Sequence, residues 1–362
     1  MLDPGIDAGG GPTLRIRKDV PLAPLTTLGV GGAARFFAVV KDEARLAEAL
    51  AFARRAGVPV FALGGGSNLV VSDGGFAGMV VKMAIPGIEP DAERPGRVSV
   101  GAGVEWDEFV RYCVRRGLAG VEALSGIPGS VGGAPVQNIG AYGQEVGDAI
   151  ACVYACDVAT GEVVRLGRRA CAFGYRSSVF NGGGRGRRIV TRVVFDLAPG
   201  GAPVLGYAEL QRLFAQRPAP TLRQVREAVL GLRKAKGMLR DPDDPDSRSA
   251  GSFFKNPVIA PGEFGALEED ARRRGVLAPQ EAVPHFAAPG GGVKLSAAWL
   301  IEHAGFHKGH RRGRAGISRK HALALVNGGG ATAGEVLGLA RAIQAGVRAA
   351  FGVELDIEPV VV

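Results

Sequence analysis

VPVFALGGGSNLVVSDGGFAGMVVKM, residues 58–83, is the stretch on which the fold turns. An apolar, β-branched lead-in runs into Gly64, Gly65 and Gly66, and Ser67 and Asn68 complete the loop. The residues after Asn68 are again β-branched and are punctuated by Asp73, Gly74 and Gly75, so they predict more strand and no helix. A Rossmann unit needs a helix to open at its glycine loop, with the helix N-terminus facing the pyrophosphate. Without that helix, successive backbone N–H groups must hold an anion in a nest, and glycine reaches the positive φ this requires without a Cβ clash. A tight structural turn fits this stretch, taken alone, equally well.

Outward from the loop, DEARLAEALAFARR (42–55) places Leu46, Leu50 and Ala53 on one helical face, and Gly57 stops the helix. Downstream, RVSVGAGV predicts a strand and WDEFVRYCVRRG a helix, and then comes GIPGSVGGAPVQNIGAYG (126–143). Its six glycines, two prolines and lack of charge suit backbone lying flat against a large planar ligand. Val131, Val136, Ile139 and Tyr142 argue against a flexible linker. Strands at ACVYACDV and RIVTRVVFDL come next, and PAPT (218–221) breaks the chain before a helix over about 222–233. Near the C-terminus, Thr332 and Glu335 stand at capping-box spacing ahead of the stripe Val336, Leu339, Ala340, Ile343 and Val347. Gly352 ends that helix, and ELDIEPVVV predicts a closing strand.

Composition narrows the function classes. The chain has 362 residues, 46% hydrophobic and 22% charged, which is ordinary for folded domains. No apolar run has the length of a membrane span, and MLDPGIDAGGGP lacks a signal-peptide core, so a cytoplasmic protein is expected. The net charge of +9 is scattered through loops such as RGRR (185–188), which favours small anionic ligands over nucleic acid. Four cysteines read as core residues, with Cys152 and Cys156 on one strand face. His303, His307 and His310 in HAGFHKGH lack companion ligands at metal spacing and read as an exposed basic loop, so no metal is expected.

Four further strings complete a pattern: FGYRSSVF (173–180), AGSFFKNP (250–257), KLSAAWLIEHAGF (294–306) and HALALVN (321–327). Together with the two glycine loops, in this order from about Pro21 to the C-terminus, they resemble the UDP-N-acetylenolpyruvoylglucosamine reductase family, first type. The resemblance implies an α+β protein with a two-lobed FAD-binding domain of the vanillyl-alcohol-oxidase type and a C-terminal α+β substrate-binding domain. The expected division is an N-terminal extension over 1–20, lobes over 21–88 and 89–219 with the strand 355–362, and a substrate domain over 220–354. It further implies that NADPH reduces non-covalently bound FAD, which reduces the enolpyruvyl double bond of UDP-N-acetylglucosamine enolpyruvate to UDP-N-acetylmuramate, a peptidoglycan precursor.

That reaction needs a group to stabilise a developing enolate and a proton donor for the other alkene carbon. The resemblance assigns the first need to Arg176, whose planar fork suits an enediolate, and the second to Ser252. Glu358 matches a family glutamate near the substrate carboxylate. Asp356 is a competing register, and helix-to-strand spacing favours Glu358. The cofactor would lie on Gly64, Gly65, Gly66, Ser67 and Asn68 and on Ile127, Pro128, Gly129, Ser130, Gly132, Gly133, Asn138, Ile139 and Gly140. Substrate contacts match Tyr175, Tyr207 in PVLGYAEL, Asn256, and Lys236, with Lys234 as the alternative phosphate partner. His321 stands where relatives vary, and a structural histidine fits as well. The rival reading is an FAD oxidase of the same fold acting on an alcohol or lactone. Such enzymes often tether flavin through a histidine, and none precedes His285.

Overall fold

Leu46, Ala49, Leu50 and Ala53 are buried along one side of the Glu43–Arg55 helix, which Asp42 caps by accepting the Arg45 N–H. The helix joins two parallel strands, Ala33–Val40 and Val60–Leu63, that flank Phe76–Met83. The computed structural model describes residues 14–216 and 219–362. Residues 1–13 of the expected extension, and Pro218 of the PAPT break, lie outside the described residues.

Among the described residues the chain forms two compact units, one within 1–21, 33–66 and 76–239 and the other of 22–32, 67–75 and 240–362. Among the described residues, the first unit holds a four-stranded sheet ordered Arg17–Pro21, Ala33–Val40, Phe76–Met83, Val60–Leu63. It also holds a five-stranded antiparallel sheet ordered Val163–Gly167, Ile150–Asp157, Arg188–Asp196, Arg97–Gly101, Ile88–Pro90. The first sheet lies mostly within 21–88 and the second mostly within 89–219, the stretches expected as lobes, but 22–32, 67–75 and the C-terminal 355–362 belong to the other unit. Trp106, Phe109 and Phe195 centre the core of the second, and the Trp106 indole N–H donates to the Leu124 carbonyl at 3.0 Å. All four cysteines are buried and free. Burial pushes the Cys113 thiol above its ordinary range and the Cys171 thiol up to about 11, so both sit as inert core residues.

The Leu222–Ala235 helix opens on a Thr221–Gln224 capping box. It buries Val225 and Val229 against Ala123, Leu210 and Phe214. The first unit therefore runs on to residue 239, beyond the boundary expected at 219.

In the second unit, a four-stranded antiparallel sheet is ordered Ser249–Ser252, Ala324–Asn327, Ala315–Ile317, Arg311–Arg312 among the described residues. The Ala333–Phe351 helix carries the expected capping box and buries Val336, Leu339, Ala340, Ile343 and Val347. Burying each of Val336, Leu339, Ile343 and Val347 is worth about 1.5–3 kcal/mol. Gly352 closes the helix at φ 69°, the left-handed conformation that glycine adopts freely. The expected closing strand is shorter, Val360–Val361, and pairs in parallel with Leu69–Val70. Pro359 explains the shortening. Upstream of it, Glu358 N–H donates to the Phe253 carbonyl; downstream, Val360 N–H donates to the Asn68 carbonyl. Proline has no N–H with which to continue either ladder.

Among the described residues no helix is long and apolar enough to cross a membrane.

Candidate active site

The two glycine loops meet in the first unit. A Cβ added to Gly65 would lie 2.5 Å from Gly129 Cα, and one added to Gly64 would lie 2.7 Å from Ser130 Oγ. Only glycine allows this approach of backbone to backbone. The second loop is stitched to residues 102–106: Trp106 N–H donates to Gly129 O at 3.1 Å, Val131 N–H to Val104 O at 2.9 Å and Gly132 N–H to Ala102 O at 2.9 Å. Lys82 Nζ donates to the Gly64 carbonyl. Between the loops, Ser130 Oγ is buried without a hydrogen-bond partner. A buried hydroxyl is seldom left so, and a polar ligand laid across the paired loops would satisfy it. Gly133 follows in the same turn, while Ile127 and Ile139 pack partly buried on the second-lobe core. Pro128 is half-buried between Ile127 and Gly129.

Arg176 is brought to the far end of that loop. It adopts φ 52°, uncommon outside glycine, in a tight Gly174–Ser177 turn. Its Nη2 donates to the Gly140 carbonyl at 2.9 Å, and its guanidinium carbon lies 5.4 Å from the Tyr175 ring centroid. Asn138 fixes the turn against the loop. Its amide donates to Glu145 Oε2 at 2.7 Å and to Gly174 O at 3.1 Å, and its oxygen accepts from Gly147 N–H at 2.8 Å. The side chain expected at the cofactor is thus engaged within the protein. Ser178 Oγ, donating to Val136 O at 2.6 Å, and Asn181, donating to Arg176 O at 3.1 Å, complete the fastening.

Also in the first unit, Tyr207 opens the Ala208–Phe214 helix and meets the Tyr142 ring edge-on at 5.5 Å. Lys236, just past the Leu222–Ala235 helix, pairs with Glu209 at 2.7 Å and lies 5.7 Å from the Tyr142 ring centroid. Burial pulls the Lys236 ammonium down, but the Glu209 hydrogen bond and Tyr142 outweigh it and hold its pKa above the ordinary value. Burial raises the Tyr142 phenol. Lys236 is accordingly a fixed cation among aromatic rings, whereas Lys234 is exposed.

In the second unit, Ser252 ends the Ser249–Ser252 strand, following Gly251 at φ 76° and facing Ala324 across a register shift. The next two residues, Phe253 and Phe254, are fully buried. Glu358 N–H donates to Phe253 O at 3.0 Å, and Asn68 Nδ2 donates to Glu358 O at 3.3 Å. Asp356 lies further off and exposed, its carbonyl accepting from Lys255 N–H at 3.0 Å. The backbone register thus puts Glu358, and not Asp356, beside the residue that follows Ser252. Thr27 Oγ1 reaches Ser67 O at 3.4 Å and Ser249 O at 2.7 Å.

Asn256 Oδ1 accepts the Ala297 N–H at 3.0 Å, satisfying an orphan donor at the start of the Ala297–His303 helix. His321 stands in the turn before Ala324–Asn327, and its carbonyl accepts from Ala324 N–H at 3.1 Å. The acidic stretch DPDDPDS (241–247) secures this turn. The fully buried Asp246 accepts from Arg319 N–H at 3.1 Å and from Arg319 Nε at 3.4 Å, and Asp244 pairs with Lys320 at 2.8 Å.

The three clustered histidines do not share one exposed loop. His303 ends a helix, stacks on Trp299 at 3.7 Å and contacts Glu281 at 3.0 Å, whereas His307 is exposed. The i, i+4 spacing of Trp299 and His303 was the signal for that stack. Among the described residues no group of three or more His, Cys, Asp or Glu could hold a metal ion.

Two family models match the chain: "FAD binding domain" over residues 34–167, and "UDP-N-acetylenolpyruvoylglucosamine reductase, C-terminal domain" over residues 243–362. The UDP-N-acetylenolpyruvoylglucosamine reductase of Thermobifida fusca is 47% identical over 97% of this chain and 99% of its own. That of Streptomyces avermitilis is 45% identical over 95% and 94%. Among solved structures, UDP-N-acetylenolpyruvylglucosamine reductase from Thermus caldophilus superposes with a TM-score of 0.66 at 30% identity, covering 96% of this chain and 99% of that one. The first model spans both glycine loops, and the second spans Ser252 and Glu358. With FAD as the cofactor its paired loops fit, the chain belongs to the UDP-N-acetylenolpyruvoylglucosamine reductase family of oxidoreductases.

Proposed function

We propose that this protein uses NADPH to reduce the enolpyruvyl double bond of UDP-N-acetylglucosamine enolpyruvate, giving UDP-N-acetylmuramate for peptidoglycan synthesis in the cytoplasm. Bound FAD supplies the relay that accepts hydride from the nicotinamide and delivers it to the alkene. Gly64 to Gly66 with Ser67 and Asn68, and the 126–143 loop through its backbone and the Ser130 hydroxyl, would hold it.

The remaining chemistry falls to side chains. Arg176 receives the substrate carboxylate and stabilises the charge that builds there as the methylene carbon takes up hydride. Ser252 Oγ gives a proton to the neighbouring carbon; a hydroxyl suffices because an enolate carbon is strongly basic. Glu358 orients the carboxylate end. Tyr175, Tyr207, Lys236, Asn256 and His321 bind the UDP-sugar, with Lys236 against phosphate.

The observation that carries this reading is the fastening of Arg176 to the Gly140 carbonyl of the flavin loop, in a chain alike over nearly its whole length to reductases of that name. The test is NADPH oxidation by the FAD-loaded protein with UDP-N-acetylglucosamine enolpyruvate, oxygen excluded. Stoichiometric formation of UDP-N-acetylmuramate is expected. Oxidation of an alcohol by oxygen, with no turnover of the sugar, would overturn the proposal.

A further inference from the structure

Glu122 is fully buried, yet no arginine or lysine pairs with it among the described residues. Three N–H groups from three separate segments meet its carboxylate instead. Oε1 accepts from Gln144 Nε2 at 2.8 Å and from Val204 N–H at 2.9 Å, and Oε2 accepts from Gly120 N–H at 2.7 Å. Gln144 returns the contact, its Oε1 accepting the Ala123 N–H at 2.7 Å. A buried carboxyl group is tolerated only where donors satisfy its oxygens in this way.

The segments so joined matter for the site. Gln144 lies two residues past Tyr142, and Val204 three before Tyr207. The two stretches touch again where a Cβ on Gly143 would sit 2.6 Å from the Gly206 carbonyl carbon, and the rings of Tyr142 and Tyr207 meet at 5.5 Å. The carboxylate is thus the fixed point from which both tyrosine segments are hung.

We infer that Glu122 is a positioning residue for substrate: by bridging Gln144 and Val204 it holds Tyr142 and Tyr207, and with them Lys236, in the geometry that receives the UDP-sugar. Without the carboxylate, buried N–H groups lose their acceptor and the 204–207 segment loses its anchor. Binding of the sugar then suffers, while hydride transfer from NADPH to flavin does not. This inference rests on the proposed function.

The test uses FAD-loaded holoenzyme. Glu122→Ala is expected to raise KM for UDP-N-acetylglucosamine enolpyruvate about tenfold or more, with kcat and the rate of flavin reduction by NADPH within about twofold of wild type. Glu122→Gln separates positioning from mere stability. Its remaining oxygen still bridges Gln144 and Val204, and only the Gly120 contact is lost, so KM returns toward the wild-type value although the protein melts earlier. A wild-type KM in Glu122→Ala, or a KM defect in Glu122→Gln as large as that of Glu122→Ala, would overturn the inference. If Glu122→Ala does not fold, Gln144→Leu, which removes one donor from the bridge, must raise KM; an unchanged KM there refutes the role. Failure of the wild-type enzyme to reduce the sugar would instead sink the functional reading beneath it.

Discussion

Replacing Gly65 with alanine would place a methyl carbon 2.5 Å from Gly129 Cα and 2.8 Å from its carbonyl carbon. Carbon atoms in contact sit about 3.5–4.0 Å apart, so the two loops must part by roughly 1 Å. Neither neighbour is a flexible side chain. Gly129 is held through its carbonyl by Trp106 N–H at 3.1 Å and takes φ 137°, so its backbone cannot slide without breaking the stitching to residues 102–106. Overpacking of this kind costs about 1–3 kcal/mol. If that strain is relieved by opening the cradle, FAD affinity falls roughly 5- to 150-fold. The assay is fluorescence titration of the apoprotein with FAD, with Gly167→Ala as the control. Gly167 has φ −66° and nothing within 4 Å of an added Cβ, so its affinity should not change. A Gly65→Ala protein that binds FAD as wild type does would show that the loop crossing is not the flavin cradle.

Ser252→Ala should load FAD and accept hydride from NADPH at the wild-type rate but reduce the sugar about a thousandfold more slowly, read as flavin reoxidation in stopped flow; an unchanged rate rejects Ser252 as proton donor. Burial alone would raise the Asp107 carboxyl, but the Arg226 fork, at 2.6 Å to each oxygen, and the Gly126 N–H, at 2.6 Å, outweigh it and hold the pKa below the ordinary value. Such a group stabilises the fold above its unfolded pKa and loses that contribution as pH falls through its folded pKa. Asp107→Asn should therefore melt in urea with about 2 kcal/mol less stability at neutral pH, a gap that closes as pH falls below the ordinary carboxylate range; a gap independent of pH contradicts the assignment. Asp246→Ala strands the Arg319 N–H and should lose about 1–3 kcal/mol in urea melts, whereas Asp246→Asn keeps an acceptor there and should lie nearer wild type.

Much of the fold could be read directly from sequence because its signals are local. The absence of helix after Gly66 follows from β-branched residues and turn signals at 69–83, and both strands are present there. Thr332 and Glu335 mark a helix start that the backbone confirms. Periodicity also found the helix after Thr221, but it does not say which core a stripe packs on; Val225 and Val229 join Ala123, Leu210 and Phe214, which only the folded chain reveals. The closing strand reads as continuous in ELDIEPVVV, yet Pro359 divides it between two partners. Which of residues 356 and 358 lies next to Phe253 is likewise a matter of register, and it is the Glu358 N–H that reaches the Phe253 carbonyl. Glu122 carries no pattern at all: in VEALSG it looks like a surface glutamate, and its burial depends on donors 22 and 82 residues away.

Hydride transfer from NADPH to an enolpyruvyl sugar through a single bound flavin leaves a spectroscopic trace. Its most direct test is to reduce the bound flavin with one equivalent of NADPH under anaerobic conditions and then add UDP-N-acetylglucosamine enolpyruvate. The oxidised flavin spectrum should return as the sugar gains two hydrogens. A flavin that stays reduced until oxygen is admitted would contradict it.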